Sequence, residues 1–562
     1  MDVIRTSSFM KHQITCRIVK FCDKHVVIEM RLSKEKKISQ TDPYHVRFVP
    51  SLFSNKMSHL ALETINENGL QKWMLNFDGV KKKTSEHVKV HEDFEWFNQK
   101  ISTNDEQKLA VKNVVNQTSK AMPFIIFGPP GTGKTSTLVE AVAQIVTLNP
   151  KSRILISVNS NSACDEIGER LIKILSVNKV FRFYAPSFER KMEKVHPKLK
   201  PISNLKNGYN VYPTYQEFYS YNVVISTLVN CGRFIIAKIC PKHFNYLFID
   251  ECASMAECYA AIPIAVCTQQ NKITASLVLC GDHKQLGPIF NTHHNDRFGF
   301  SISLMERVLL LDQYKRDPKY NSDIAIKLVQ NFRSHRSILE YSSVQFYNGE
   351  LKACQSKDIA NFAIGWYLLP NKNFPVLFHS IFTASEKEGT STYNMTELYK
   401  TKFYVDILLK NGINGKKVRP MDIGIVCPYN AQRTKLKNLI GNNIEIGTVE
   451  YYQGREKKII IFSAVRSQTP TLGFLRNEKR LNVALTRAKS LLIVMGNPET
   501  LYRNHYWREF IRYCSANKAI VGWAPEKNLG RHVGELEAEG FCVEDNRAVT
   551  LEEMLNGMFV TE

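Results

Sequence analysis

The segment Phe127-Gly128-Pro129-Pro130-Gly131-Thr132-Gly133-Lys134-Thr135 follows the apolar run Pro123 to Phe127 and precedes a helix-like stretch. Its glycines let backbone N–H groups converge on phosphate oxygens, and the following helix offers its positive N-terminus to the same anion. Lys134 adds a mobile charge for β- and γ-phosphates, and Thr135 supplies the hydroxyl expected on Mg²⁺. The apolar run before the loop supplies the strand this motif requires. The alternative, a glycine-rich turn that merely matches the pattern, leaves the flanking strand and helix without a reason.

A chain of 562 residues has room for two or more cores, since single domains mostly stop growing near about 250 to 300 residues. No uninterrupted apolar run is long enough to span a bilayer, and MDVIRTSSFMKHQ lacks the apolar core of a secretory signal. An intracellular protein is expected. The 13 cysteines are scattered, with no CxxC pair and no Cys/His ladder, so neither disulfides nor structural zinc are expected. A net charge of +22 favours a polyanionic partner, with a solvated basic surface as the alternative. Arg190, Lys191, Lys194, Lys198 and Lys200 crowd one segment, which reads equally as a nucleic-acid contact or a mobile loop. From Glu535 onward the chain turns acidic.

Residues 1 to about 75 carry the strand candidates HQITCRIVKF, HVVIEMRL and YHVRFVP, then the helix-like MSHLALETINE. A β-rich unit over 1–95 follows. From about Asn104 the pattern alternates: PFIIF, TLVEAVAQIVTL, RILISVN, DEIGERLIKIL, NVVIST, NYLFID and SLVLCGD. Such alternation predicts a parallel sheet covered on both faces. A second series, DIGIVCPY, KLKNLI, IIIFSAV, LNVALTRA and SLLIVMG, predicts a second α/β domain. The boundaries expected are 96–330, with an insertion over about 176–222, then 331–525, then an acidic tail over 526–562.

Asp250 and Glu251 end the apolar strand Tyr246 to Ile249, where a Mg²⁺-associated Asp and a water-activating Glu would be expected in a phosphate-cleaving site. Gln285, just beyond SLVLCGD, could bond a γ-phosphate or an attacking water, or stand as an exposed turn residue. Arg333 in Asn331-Phe332-Arg333-Ser334-His335 and Arg487 in Leu485-Thr486-Arg487 lie in the second series. Charge on equatorial phosphoryl oxygens is stabilised by such arginines from a neighbouring domain. A surface ion pair is the alternative for each.

Taken in order, GPPGTGKT, SNSACDEI, FIDE, GDHKQLGP, NFRSH, VEYYQGREKKIIIFSAVRS and LNVALTRAK resemble the blocks of Upf-type superfamily-one helicases, and most closely the Armitage-type RNA-silencing helicases. The resemblance covers about residues 100 to 500. It implies two tandem RecA-like domains with ATP between them, a barrel-like N-terminal insertion, and a second insertion clasping single-stranded nucleic acid. Gln107 would read the adenine edge, Phe332 would pack on the base, and Glu456 would lie near the ribose. Gly128 to Thr135 would hold phosphates, Thr135 and Asp250 would take Mg²⁺, and Lys134, Glu251, Gln285, Arg333 and Arg487 would act in hydrolysis. Nucleic-acid contacts are implied for Ser160, Asn161, Ser226, Thr227, Pro428, Tyr429 and Ser467. The family's long N-terminal region is missing from this sequence, and Cys252 replaces the usual alanine after the acidic pair.

The function implied is ATP-driven movement 5′ to 3′ on single-stranded RNA, in silencing or other ribonucleoprotein particles of the cytoplasm, including granules. A DNA helicase and a nucleotide-binding RNA clamp with little turnover are the competing readings.

Overall fold

The computed structural model describes residues 2–5, 13–21, 26–30, 44–47, 52–77, 91, 94–188, 195–289, 297–316 and 319–522. The acidic tail over 526–562, and Arg190, Lys191 and Lys194 of the basic cluster, lie outside the described residues. Among the described residues no helix is long and apolar enough to cross a membrane.

The chain divides into two compact units, residues 1–60 and 61–562. In the first, strands Val26–Met30, Gln13–Phe21, Asp2–Arg5 and Tyr44–Arg47 form one antiparallel sheet in that order. Three of these are the strands expected from alternation. The fourth, Asp2–Arg5, is too short to show a period, yet it pairs on both sides, Val3 opposite Ile14 and Val46.

The larger unit holds two parallel sheets. The first runs Ala325–Lys327, Phe124–Phe127, Ser276–Gly281, Tyr246–Asp250, Ile154–Val158, Val223–Thr227 and Val180–Phe183. Every residue of Phe124–Phe127, Ile154–Val158 and Tyr246–Asp250 is buried, as a parallel sheet covered on both faces requires. The helix Lys134–Leu148 packs its apolar residues Leu138, Val142 and Ile145 into the same core. The second sheet runs Glu445–Gly447, Ile423–Val426, Lys457–Ser463, Ala488–Gly496, Val376–Ser380 and Ile520–Val521, again parallel.

One boundary differs from expectation. The segment 176–222 is not wholly an insertion, because Val180–Phe183 completes the first sheet beside Val223–Thr227. The excursion therefore starts at Tyr184. Arg182 interrupts this strand's apolar pattern, and its burial is explained below by an ion pair.

Candidate functional site

Parallel order puts the C-terminal ends of Phe124–Phe127, Tyr246–Asp250 and Ser276–Gly281 on one edge, and loops leaving such an edge form binding crevices. Gly128 N donates to Gly281 O at 3.0 Å, joining two of those loops. Gly131 and Gly133 take φ of +69° and +84°, the left-handed region that turns the loop under itself. Gly133 caps the helix Lys134–Leu148, so the first-turn N–H groups face the loop mouth. Lys134 Nζ lies 2.5 Å from Gly128 O, and a Cβ at position 128 would collide with the Lys134 stem. Thr132 Oγ1 closes the turn on Pro129 O at 2.8 Å, and Thr135 sits half-buried on the first helical turn.

Gln107 braces this loop from behind. Asn104 caps its helix, accepting from Gln107 N, and Gln107 Nε2 donates to Thr137 Oγ1 at 2.8 Å and Gly133 O at 3.3 Å. Its amide nitrogen is thus engaged with the loop that the resemblance would have it complement.

Asp250 is 2% exposed at its strand end, and its Oδ1 accepts from Glu251 N at 2.9 Å. Burial, reinforced by the Glu251 charge, pushes the Asp250 carboxyl up to about 7, with Lys134 pulling the other way. Glu251 itself sits at φ +54°, an unusual conformation for a residue with a side chain. The donor set suits a hard divalent cation: a buried carboxylate whose charge is costly without one, and the Thr135 hydroxyl. Among the described residues no group of three His, Cys, Asp or Glu side chains could hold a metal by itself. That fits Mg²⁺, which is usually bound by one or two carboxylates together with substrate phosphates.

The second domain reaches this edge through two segments. Phe332 N donates to Gly131 O at 2.9 Å and Asn331 Nδ2 to Pro130 O at 2.5 Å, so Asn331-Phe332-Arg333 lies on the phosphate loop. Arg333 Nε pairs with Glu456 Oε2 at 2.5 Å, and Lys489 Nζ with Glu456 Oε1 at 2.7 Å. Burial alone would raise the Glu456 carboxyl, but these two cations hold it down at about 2. The carboxylate expected near a ribose is therefore committed to an ion-pair triad.

Arg487, 1% exposed, donates to Val483 O, Thr486 Oγ1 and Gln285 Oε1, the last at 2.9 Å. Burial, then the nearby Arg333 charge, lower it to about 9, while Glu251 and Glu456 oppose the shift. Gln285 is 7% exposed, which removes the exposed-turn alternative. Lys134, Asp250, Glu251, Gln285, Arg333 and Arg487 thus form one electrostatically connected cluster spanning both domains. Arg487 is buried and in no surface ion pair, whereas Arg333 is ion-paired with the half-buried Glu456.

The nucleic-acid candidates divide. Ser226 is fully buried, with its hydroxyl donating to Phe183 O and accepting from Asn230 Nδ2. Ser467 is fully buried too, bonded to Phe382 O and Asn497 Nδ2. Tyr429 is 5% exposed, its hydroxyl tied to Leu472 O and Arg466 Nε. Each of these three hydroxyls is bonded inside the fold, so any contact at these positions would fall to their backbone or to neighbouring groups. Ser160 is exposed and caps the helix Asn161–Leu171, Thr227 is half-buried at its strand end with no capping bond, and Pro428 is half-buried.

Sequence reasoning passed over the group that holds Asn161. Arg182 Nη2 donates to Asn161 Oδ1 at 2.8 Å while its Nε pairs with Asp165 Oδ1 at 2.8 Å and its guanidinium lies 3.9 Å from the Tyr184 ring centroid. A lone charge inside the apolar run VFRF was the available signal.

Two family models, both described as AAA domain, match this chain, one over residues 102–218 and 216–292 and the other over 300–499. The mov-10-B.1 protein of Danio rerio, named as a helicase, is 39% identical over 456 residues, covering 76% of this chain and 44% of the relative. The armi protein of Drosophila melanogaster, named as an RNA helicase, is 30% identical over 485 residues, covering 76% and 39%. The ATP-dependent helicase upf1 of Schizosaccharomyces pombe is 29% identical over 464 residues, covering 74% and 47%. The chain spans less than half the length of these relatives.

Proposed function

We propose that this chain, which belongs to the Upf1-like superfamily-one helicases and resembles their Armitage-type members, hydrolyses ATP to move 5′ to 3′ along single-stranded RNA. The observation that carries the reading is the engagement of the first domain's phosphate loop and Gln285 by Asn331 to Arg333 and Arg487 of the second. A triphosphate at this seam would meet charge from both domains, so its cleavage would be felt by both.

In this reading the loop N–H groups and Lys134 grip the phosphates, and Glu251 accepts the proton of the attacking water. Arg333 and Arg487 offset charge developing on the transferred phosphoryl group. A divalent cation on Thr135 and Asp250 would supply further charge neutralisation. Gln107 and Phe332, next to the loop, would face the base, and Glu456 would hold Arg333 in reach. Opening and closing of the seam would alternate the grip of the two domains on the strand. Ser160, Asn161, Thr227 and Pro428 are the remaining candidates for that grip. A basic chain contacting phosphate and sugar binds in a salt-sensitive, sequence-tolerant way. Resemblance to Armitage-type proteins extends the proposal to silencing particles of the cytoplasm.

The test is unwinding of short RNA duplexes carrying a single-stranded tail at the 5′ or the 3′ end. ATP-dependent unwinding of 5′-tailed duplexes is expected. Unwinding only from 3′ tails would refute the direction, and activity confined to DNA tails would refute the substrate.

A further inference from the structure

Gln285 has a chemical polarity that its role depends on. Its Nε2 donates to Asp282 Oδ2 at 2.5 Å and its Oε1 accepts from Arg487 Nη2 at 2.9 Å. A carboxylate only accepts and a guanidinium only donates, so only one amide orientation satisfies both neighbours. Asp282 and Arg487 therefore hold Gln285 in that orientation from its two ends, and whatever places Asp282 also places the Nε2 end.

Asp282, 3% exposed, has its Oδ1 on Lys284 N at 3.0 Å and shares its Oδ2 between Gln285 and Tyr347, whose hydroxyl lies at 2.8 Å. The same hydroxyl accepts from Asn482 Nδ2 at 2.8 Å, and Asn482 Nδ2 also donates to Lys284 O at 2.8 Å. Asn482 and Arg487 lie on one short segment, the helix Glu478–Leu485 and the residues just after it. The bonds therefore close a circuit: Asn482 to Tyr347, Tyr347 to Asp282, Gln285 to Asp282, and Arg487 to Gln285. It crosses between the domains twice. Asn482 Oδ1 is buried with no partner among the described residues, so all of the side chain's hydrogen bonds run through its nitrogen.

Tyr347 also ends the helix Arg336–Tyr347, whose N-terminal approach is Arg333 on the phosphate loop. Twelve residues at about 1.5 Å each make a rigid strut of about 18 Å between the two contacts. One helix thus links the segment on the phosphate loop to the hydroxyl that bonds Asp282.

We propose that Tyr347 is a positioning residue that, through Asp282, sets the amide orientation of Gln285 and so couples hydrolysis at the seam to the relative placement of the two domains. This rests on the helicase reading above. Loss of its hydroxyl would remove one bond from each of two buried partners, leaving Asp282 Oδ2 with Gln285 and Asn482 Nδ2 with Lys284 O, without removing any group that touches the nucleotide.

The experiment compares wild type, Tyr347→Phe, Asp282→Asn and the double variant for steady-state ATP hydrolysis with and without single-stranded RNA, alongside thermal melting. Tyr347→Phe is expected to lower RNA-stimulated kcat about 10-fold with KM for ATP unchanged within about 2-fold. Because both groups act through one link, the double variant is expected to be no worse than Asp282→Asn alone. Stimulation of Tyr347→Phe equal to wild type, or fully additive losses, would overturn the proposal while leaving the helicase reading intact. A lower melting temperature with undiminished stimulation would reduce Tyr347 to packing and overturn it as well. Wild type that RNA does not stimulate would refute the helicase reading and this inference with it.

Discussion

Arg487 Nη2 lies 2.9 Å from Gln285 Oε1, and the two side chains, from different domains, are 1% and 7% exposed. Arg487 Nη2 also donates to Thr486 Oγ1, so opening the domains would cost Gln285 Oε1 its partner while leaving Arg487 partly bonded. Arg487→Ala is expected to lower kcat about 10³-fold with a modest loss of nucleotide affinity. Arg487→Lys should rescue little, since a lysine cannot reach Val483 O, Thr486 and Gln285 together. Steady-state kinetics with equilibrium nucleotide binding checks this; unchanged turnover would assign Arg487 to structure alone.

Lys134 lies across the loop with Nζ on Gly128 O. Lys134→Ala is expected to weaken ATP binding by at least about 10-fold, the order of one charge-assisted contact of about 1.5–3 kcal/mol. Titration with a fluorescent ATP analogue measures it. Wild-type affinity would mean that the lysine does not reach the phosphates.

Gly131 combines φ +69° with contact across the domain seam. A Cβ there would sit 2.5 Å from Arg333 Cβ and 2.8 Å from Asn331 Nδ2. Gly131→Ala is expected to cost about 1–3 kcal/mol in stability and to loosen Asn331 and Arg333 from the loop. Melting and turnover should fall together; a variant of wild-type stability would show that the seam yields freely.

Much of the fold was legible because apolar strands alternating with amphipathic helices have few solutions. The phosphate loop, the carboxylate strand and both arginines were found in that frame. What could not be read depends on partners distant in sequence. Val180–Phe183 looked like insertion because a four-residue edge strand carrying Arg182 shows no period, and its ion pair with Asp165 is set by the fold. Ser226, Ser467 and Tyr429 carry polar atoms that suit a nucleic-acid contact as well as an internal bond, and only burial separates the two. Tyr347 carries no motif at all: its importance lies in Asp282, 65 residues earlier, and Asn482, 135 later.

Glu397 gives a pH signature. It is buried, accepts from Ser463 Oγ and Val465 N through Oε2, and has Oε1 without a partner among the described residues. Burial pushes its carboxyl up to about 7, against the opposing effect of those two donors. The folded state therefore holds a proton that the unfolded chain releases near pH 4.5. Stability is expected to fall as pH rises between those values and to level off above, by about 3 kcal/mol in all. Glu397→Gln should remove that slope, so the variant gains on wild type between about pH 5 and pH 8 in denaturant unfolding. Parallel pH profiles for the two proteins would show that Glu397 is ionised in the fold.

The most direct measurement is steady-state ATP hydrolysis by wild type and Glu251→Gln, each with no nucleic acid, single-stranded RNA, and single-stranded DNA of matched sequence. The account predicts stimulation by RNA in wild type, and a Glu251→Gln variant that still binds ATP but turns over at least about 100-fold more slowly. Preferential stimulation by DNA, hydrolysis indifferent to either strand, or full activity in Glu251→Gln would contradict it.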